Sequence, residues 1–165
     1  RSQEACAQAG RVTNHPAVKM GDACAAGWAR RGGDVTLVSG PTALEKPWFV
    51  NTVDVKSAKE MYEAVTGHAA EQDIIIKAAA VADYRPKTVS SEKMKKKDGE
   101  LTLELERTDD ILAHLGQNKR TGQFLCGFAM ETEDLIENAR QKLKKKHVDM
   151  IAANSLRVCR TCHSV

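Results

Sequence analysis

Apolar and amphipathic stretches alternate along this chain. The apolar stretches are rich in β-branched residues and are bounded by turn-forming residues, which is typical of strands. They predict strands at 34–39, 49–55, 73–81, 123–129 and 148–153. Between them, apolar residues recur at helical spacing. That spacing predicts helices at 20–31, 57–71, 109–119 and 133–147. Because strands and helices alternate with short connections, we expect a mostly parallel sheet with right-handed crossovers.

Signals at the helix ends and along the helix faces support this assignment. Residues 57–60 (Ser-Ala-Lys-Glu) form a capping-box pattern, in which the serine caps the helix and the glutamate reaches back. In the last predicted helix, Leu135, Ile136, Ala139 and Leu143 are expected to face inward. Lysines cluster at the C-terminal end of that helix, where the helix dipole favours positive charge.

Residues 101–106 alternate strictly between leucine and polar side chains. This pattern is typical of a half-exposed strand, which need not belong to the central sheet. The fold class that we expect is therefore α/β: a Rossmann-like three-layer sandwich with a mostly parallel sheet and a short exposed strand region near 85–106. Such a fold normally begins with a strand, and residues 1–11 do not have a strand pattern.

The composition is that of an ordinary globular protein. The 165 residues suffice for one domain with a central sheet, and 42% of them are hydrophobic. A net charge of +3 demands no nucleic-acid partner, and no apolar stretch reaches the roughly 20 residues of a membrane span. No signal peptide is visible, and Cys24 and Cys126 lie in apolar contexts. We therefore expect reduced thiols and a cytoplasmic location.

The C-terminal segment ends in Cys159-Arg160-Thr161-Cys162-His163, which has the C-x-x-C-H spacing of c-type haem attachment. Nothing else in the sequence supports export or a second axial ligand. A zinc site is also weakly indicated, because two cysteines and one histidine leave the fourth ligand missing.

Candidate chemistry concentrates at the end of the strand predicted at 73–81. The apolar run narrows there to small alanines and closes with Asp83-Tyr84-Arg85-Pro86, and four lysines follow within 93–97. In open α/β sheets, ligands bind at the carboxyl ends of the strands. Small residues, one carboxylate and clustered lysines suggest a nucleotide with its phosphates. The alternative is a plain core strand followed by a solvated loop. Phe128 has two comparable interpretations, stacking on a base or packing in the core.

The junction at 13–21 offers a helix N-terminus and Lys19 to an anion. However, neither the G-x-G-x-x-G fingerprint nor a Walker A motif is present. An ordinary helix start is therefore the better interpretation, and a Rossmann-type redox domain that binds NAD or flavin is disfavoured.

Several sequence blocks, in this order, resemble one enzyme family. They are Asn14-His15 with Lys19-Met20-Gly21, Val35–Pro41, Ala79–Pro86, Glu92–Lys96, Gly127–Thr132, Ala139–Lys146 and Ala153-Asn154. Together they are similar to the phosphopantothenoylcysteine synthetase domain of the bacterial bifunctional coenzyme A biosynthesis protein, over about residues 11–154. The resemblance implies that residues 1–154 form a CTP-binding domain of this kind and leaves residues 155–165 as an unmatched tail.

The family resemblance implies a CTP-dependent phosphopantothenate–cysteine ligase. The carboxylate of 4′-phosphopantothenate would attack the α-phosphate of CTP, and the amine of cysteine would then attack the acyl-cytidylate. The co-substrate CTP, Mg²⁺ held mainly through the triphosphate, and a homodimer are implied in the same way. Neither nucleic acid nor a membrane is expected as a partner.

The resemblance also implies the site residues. Asn14 and Lys93 are the implied catalytic residues. The implied substrate- and nucleotide-binding residues are Ala78, Ala79, Asp83, Lys93, Asp109, Asp110, Ile111, Leu112, Phe128, Lys142 and Lys146.

The chain departs from the family at Pro16-Ala17-Val18, where the family usually has two serines and a glycine. Proline lacks a backbone N–H, and valine resists the positive φ that glycine allows. If this segment cradles phosphate, binding should weaken. A catalytically impaired nucleotide-binding fragment of the same family therefore stays open as an alternative, and the choice between CTP and ATP is also open.

Overall fold

The structure, a computed structural model, describes residues 15–88, 102–131 and 133–155. The helices are α1 (His15–Ala29), α2 (Ala58–Ala69), α3 (Ile111–Gln117) and α4 (Leu135–Lys146). The strands are β1 (Thr36–Ser39), β2 (Asn51–Asp54), β3 (Ile74–Lys77), β4 (Tyr84–Pro86), β5 (Leu105–Arg107), β6 (Phe124–Glu131) and β7 (Met150–Ser155). No helix in these three ranges is both long and apolar enough to cross a membrane.

Three strand pairs in the described part of the chain are parallel. Strand β1 pairs with β2, and β6 lies between β3 and β7, all in parallel. The register places Lys77, the last residue of β3, opposite Gly127 of β6. The carboxyl end of β3 therefore lies beside the middle of β6, which continues to Glu131. The prediction of an α/β, Rossmann-like sandwich with a mostly parallel sheet is confirmed.

The predicted exposed strand region lies outside the parallel sheets, as expected. Strand β5 pairs antiparallel with β4, and the Arg85 Nε donates to Glu106 Oε1 at 2.7 Å. The strand begins at Leu105, later than predicted. Leu103 and Leu105 are 56% and 55% exposed, so the leucine face of the pattern points to solvent.

The strand predicted at 73–81 is shorter and less buried than its sequence suggests. It ends at Lys77, and Ile74 is 42% exposed. Among the described strands, β3 has a partner on one side only, so its other edge lacks the cover of a central strand. The alanines that follow are therefore in an irregular segment beyond the sheet.

The helix predicted from residue 20 begins earlier, at His15. Pro16 falls in its first turn, where a missing N–H removes no helical hydrogen bond. The backbone at 16–18 is thus helical and needs no positive φ. The helix ends at Ala29, and Gly32 (φ 84°) takes the left-handed conformation that reverses the chain.

The predicted inward face of the last helix is wrong at one position. Ile136 is 67% exposed, whereas Leu143 packs against the core. Leu135, Ala139 and Leu143 follow one another at intervals of four residues and share one stripe. Ile136 lies in the first turn of α4, at the edge of that stripe, and its side chain faces solvent there.

The core lies between the helices and the sheets. Its most buried members are Val55, Met61, Ile111, Leu112, Leu115, Leu125 and Val148. The capping box of α2 is confirmed, because the Ser57 Oγ accepts from the Glu60 N–H at 3.2 Å. The Glu60 carboxylate reaches the N–H of Lys56, one residue before the cap.

Candidate functional site

A lysine closes strand β3 at the carboxyl edge of the sheet. Lys77 is half-buried, and its Nζ donates to the carbonyl oxygen of Ala79 at 2.9 Å. This hydrogen bond folds the side chain over the irregular segment that follows the strand. Ala79 packs against the core, and Asp83 further along is exposed. The small side chains leave the backbone of this segment open to approach.

A second lysine reaches the same edge from helix α4. The Nζ of Lys142 donates to the carbonyl oxygen of Phe128 at 2.9 Å. Phe128 follows Gly127, which is the register partner of Lys77. Lys77 is therefore bound to a carbonyl just beyond β3, and Lys142 to a carbonyl within the neighbouring strand β6. A side chain at Gly127 would press on Leu112 and Ile151, so this glycine allows helix and strands to pack closely.

A third lysine is paired with the residue that caps helix α3. The Oδ1 of Asp110 accepts from the Ala113 N–H at 2.9 Å, and its Oδ2 accepts from the Nζ of Lys146. Burial acts to raise the pKa of Asp110. The hydrogen bonds from Lys146 and Ala113, with the charges of Lys146 and Lys77, outweigh burial and hold this pKa below its usual range.

The packing of two helices brings this ion pair together. A Cβ added at Gly116 of α3 would overlap the carbonyl oxygen of Lys146 at the end of α4. Only a glycine allows the helices to approach this closely. The approach holds the end of α4 against the last turn of α3, and from there the side chain of Lys146 reaches Asp110 at the start of α3.

The electrostatics of the edge centre on Lys77. Burial lowers the pKa of Lys77 to about 8, and the charges of Lys142 and Lys146 act in the same direction. The carboxylates of Asp110 and Asp83 oppose them. We call the five residues Lys77, Asp83, Asp110, Lys142 and Lys146 the basic edge.

The structure brings together most of the residues implied by the family resemblance. Ala78, Ala79, Asp83, Asp110, Phe128, Lys142 and Lys146 lie at or next to the basic edge. The backbone links the two acidic segments, since the Thr108 N–H donates to the carbonyl of Asp83 at 3.0 Å. Asp109 is exposed beside them.

Other predicted site residues are placed differently. Ile111 and Leu112 are only 2% and 4% exposed, and their side chains belong to the core. Only their backbone groups are left for a ligand. Asn14 and Lys93 lie outside the described residues, and so does the C-x-x-C-H segment. Their roles stay predictions.

Lys77 is the residue of this edge that the sequence did not single out. The available signal was a charged residue that closes an apolar run at the ligand end of a predicted strand. The burial of Lys77 depends on α3 and α4, which come more than 30 residues later in the chain. Sequence spacing does not reveal that contact.

Comparisons with known proteins place the chain among those of pantothenate metabolism. A family profile described as "DNA/pantothenate metabolism flavoprotein C-terminal domain" matches residues 3–162. The coenzyme A biosynthesis bifunctional protein CoaBC of Vibrio vulnificus (strain YJ016) is 45% identical over 149 residues, which cover 89% of this chain and 37% of that protein. A cysteine/cysteine sulfinic acid decarboxylase from an unknown prokaryotic organism is 47% identical over 147 residues, covering 88% of this chain and 41% of that protein.

A solved structure agrees with these relatives. The crystal structure of the C-terminal domain of the bifunctional protein CoaBC superposes with a TM-score of 0.72 at 49% identity. The match covers 82% of this chain and 63% of that one. The chain thus spans about two fifths of the length of the curated relatives it matches.

These comparisons confirm the resemblance as far as the C-terminal domain of CoaBC, and they correct the expected activity. The matched family is described as part of a flavoprotein, and one relative is named a decarboxylase. These names contradict three expectations: the CTP-dependent ligase activity, the cofactors CTP and Mg²⁺, and cysteine as a substrate. None of the three is retained. Coenzyme A biosynthesis and pantothenate metabolism are named among the matches.

Proposed function

Because the chain belongs to the family of the DNA/pantothenate metabolism flavoprotein C-terminal domain, we propose that its basic edge binds a phosphate-bearing, pantothenate-derived small molecule of coenzyme A biosynthesis. The proposed ligand class is represented by 4′-phosphopantothenate, which carries a phosphate at one end and a carboxylate at the other. Both groups are anions that lysine ammonium groups can bind.

One observation carries this proposal: at the end of β3 and beside it on β6, two ammonium groups have only neutral hydrogen-bond partners among the described residues. Within the described residues, Lys77 and Lys142 donate to backbone carbonyls and form no ion pair. Both are half-buried, where like charges repel each other more strongly than in water. A phosphate dianion between them would supply the missing countercharge.

The neighbouring residues suit the rest of such a ligand. Ala78 and Ala79 leave the backbone accessible, so a ligand can lie against the strand end. The exposed Asp83 can accept a hydrogen bond from a hydroxyl or amide of the ligand, and Phe128 can contact its apolar part. Asn14 and Lys93 stay predicted ligand contacts.

A flavin is the second ligand to consider, because the family description contains the word flavoprotein. The groups that the described residues bring to this edge are three lysines, two aspartates and Phe128. They suit the phosphate of FMN but not its large apolar isoalloxazine ring. No flavin-dependent step is therefore assigned to these residues.

Calorimetric titration with 4′-phosphopantothenate and with pantothenate tests the proposal. Because the phosphate supplies the countercharge, the phosphorylated compound should bind at least tenfold more tightly, which corresponds to about 1.4 kcal/mol. Lys142→Ala should remove most of that difference. Lys59→Ala is the matched control, since Lys59 lies on α2 and is paired with Glu63 of the same helix.

Equal affinity for the two compounds, or no binding of either, would contradict the proposal. FMN is titrated in parallel, and its visible absorbance spectrum is expected to stay unchanged, because the residues that the structure describes at this edge offer the ring no apolar site. A shifted spectrum that Lys142→Ala abolishes would favour the flavin as the ligand.

We also propose that the chain pairs with a second copy through the exposed β4–β5 region. Leu103 and Leu105 give that region an apolar surface.

A further inference from the structure

Lys77 differs from the other lysines of the basic edge in how it is held. Its Nζ contacts Ala79, two residues along the same chain segment, and not a carboxylate. Lys146, by contrast, is neutralised by Asp110. A ligand anion therefore competes with a carboxylate at Lys146 but only with a neutral carbonyl at Lys77.

The surroundings of Lys77 disfavour its positive charge. Helix α4 presents Lys142 and Lys146 to it, the start of α3 presents Asp110, and the segment after β3 presents Asp83. Burial is the largest influence, and with the two lysines it brings the pKa of Lys77 to about 8. About half of the Lys77 side chains are thus uncharged near pH 8.

An anion bound at the basic edge would favour the charged form of Lys77 instead. A negative charge within about 4–6 Å of an ammonium group favours its protonated form. A phosphate that lies between Lys142 and the end of β3 comes within reach of Lys77 as well, because Lys77 is the last residue of β3 and Lys142 is bound to a carbonyl of the neighbouring strand β6.

We propose that Lys77, which the proposed function places beside the anion, takes up a proton from solvent when the anion binds. The inference rests on the proposed function, because it requires an anion at this edge. It assigns to Lys77 a role in affinity that changes with pH. Binding should weaken above pH 8, where the free protein loses the charge that the ligand needs.

Calorimetry in several buffers of different ionisation enthalpy measures this uptake directly. The probes are 4′-phosphopantothenate, whose phosphate monoester is fully ionised near pH 8, and inorganic sulfate, which does not titrate there. The wild-type chain should take up ~0.5 proton per ligand near pH 8. Uptake should fall towards zero near pH 6, where Lys77 is already charged.

Two substitutions distinguish the effect of a positive charge at position 77 from the effect of its titration. Lys77→Arg keeps a permanent charge, so it should bind the ligand with no proton uptake near pH 8. Lys77→Met should bind at least tenfold more weakly and also show no uptake. Lys59→Met, on the exposed face of α2, should behave as wild type. Thermal unfolding of each variant confirms that it is folded.

The outcomes distinguish this inference from the proposed function. Phosphate-dependent binding without proton uptake would overturn the role of Lys77 and leave the proposed function standing. Proton uptake that persists in Lys77→Met would assign it to another group and also overturn the inference. Failure of the wild-type chain to bind either probe would overturn both.

Discussion

At the scale of single residues, Lys77 stands out because its charge is costly in the folded chain. Its pKa of about 8 lies below the ordinary value of 10.5. A depression of this size corresponds to about 3 kcal/mol at neutral pH. The hydrogen bond from Lys77 to Ala79 offsets only about 1 kcal/mol of this destabilisation. Such a residue weakens the fold and suits a site that awaits a negative ligand.

We therefore expect Lys77→Met to stabilise the free protein at pH 7 by about 1–2 kcal/mol. The unfolded chain binds more protons than the folded one between pH 8 and 10.5, so the wild type gains stability as the pH rises through that window. The stability advantage of Lys77→Met over the wild type should therefore shrink over the same pH range. Urea unfolding of both proteins at about pH 7 and about pH 10 measures it. A variant that is less stable than the wild type at pH 7 would contradict this account.

At the scale of elements, the sequence predicted the order and type of the helices and strands better than their limits. The capping box of α2 and the alternation near residue 105 are local signals, and both identified their elements. The end of β3 at Lys77 and the exposure of Ile136 depend on partners distant in the chain. The Asp110–Lys146 pair is of the same kind, since 36 residues separate its members.

The close approach of α3 and α4 gives a prediction at this scale. Gly116→Ala places a methyl group against the backbone of Lys146, which cannot move as a side-chain end could. We expect a loss of about 1–3 kcal/mol in stability and weaker ligand binding, because Lys146 is displaced from the edge.

Gly67→Ala is the matched control for that experiment. Gly67 lies within α2, and no atom is within 4 Å of an added Cβ. This substitution should leave binding unchanged and raise stability by up to ~1 kcal/mol. Thermal unfolding and calorimetry measure both effects. Equal behaviour of the two variants would show that the helix contact is unimportant.

At the scale of the whole molecule, the proposed pairing through β4–β5 predicts a dimer in solution. Leu105→Lys places a charge on the exposed apolar surface of β5 and should shift sedimentation towards the monomer. Ile136→Lys is the control, because Ile136 is a still more exposed apolar residue on a different element. The wild type sedimenting as a monomer at all accessible concentrations would refute the pairing.

Asp110 uses its two carboxylate oxygens for two separate tasks. One oxygen caps α3 through the Ala113 N–H, and the other holds Lys146. The cap needs only a hydrogen-bond acceptor, whereas the lysine needs a negative charge. An asparagine side chain has the same shape and meets the first requirement alone. Asparagine at position 110 would therefore keep the helix cap that the fold needs and lose the charge that holds Lys146 at the ligand edge. The two requirements differ by the exchange of one oxygen atom for nitrogen.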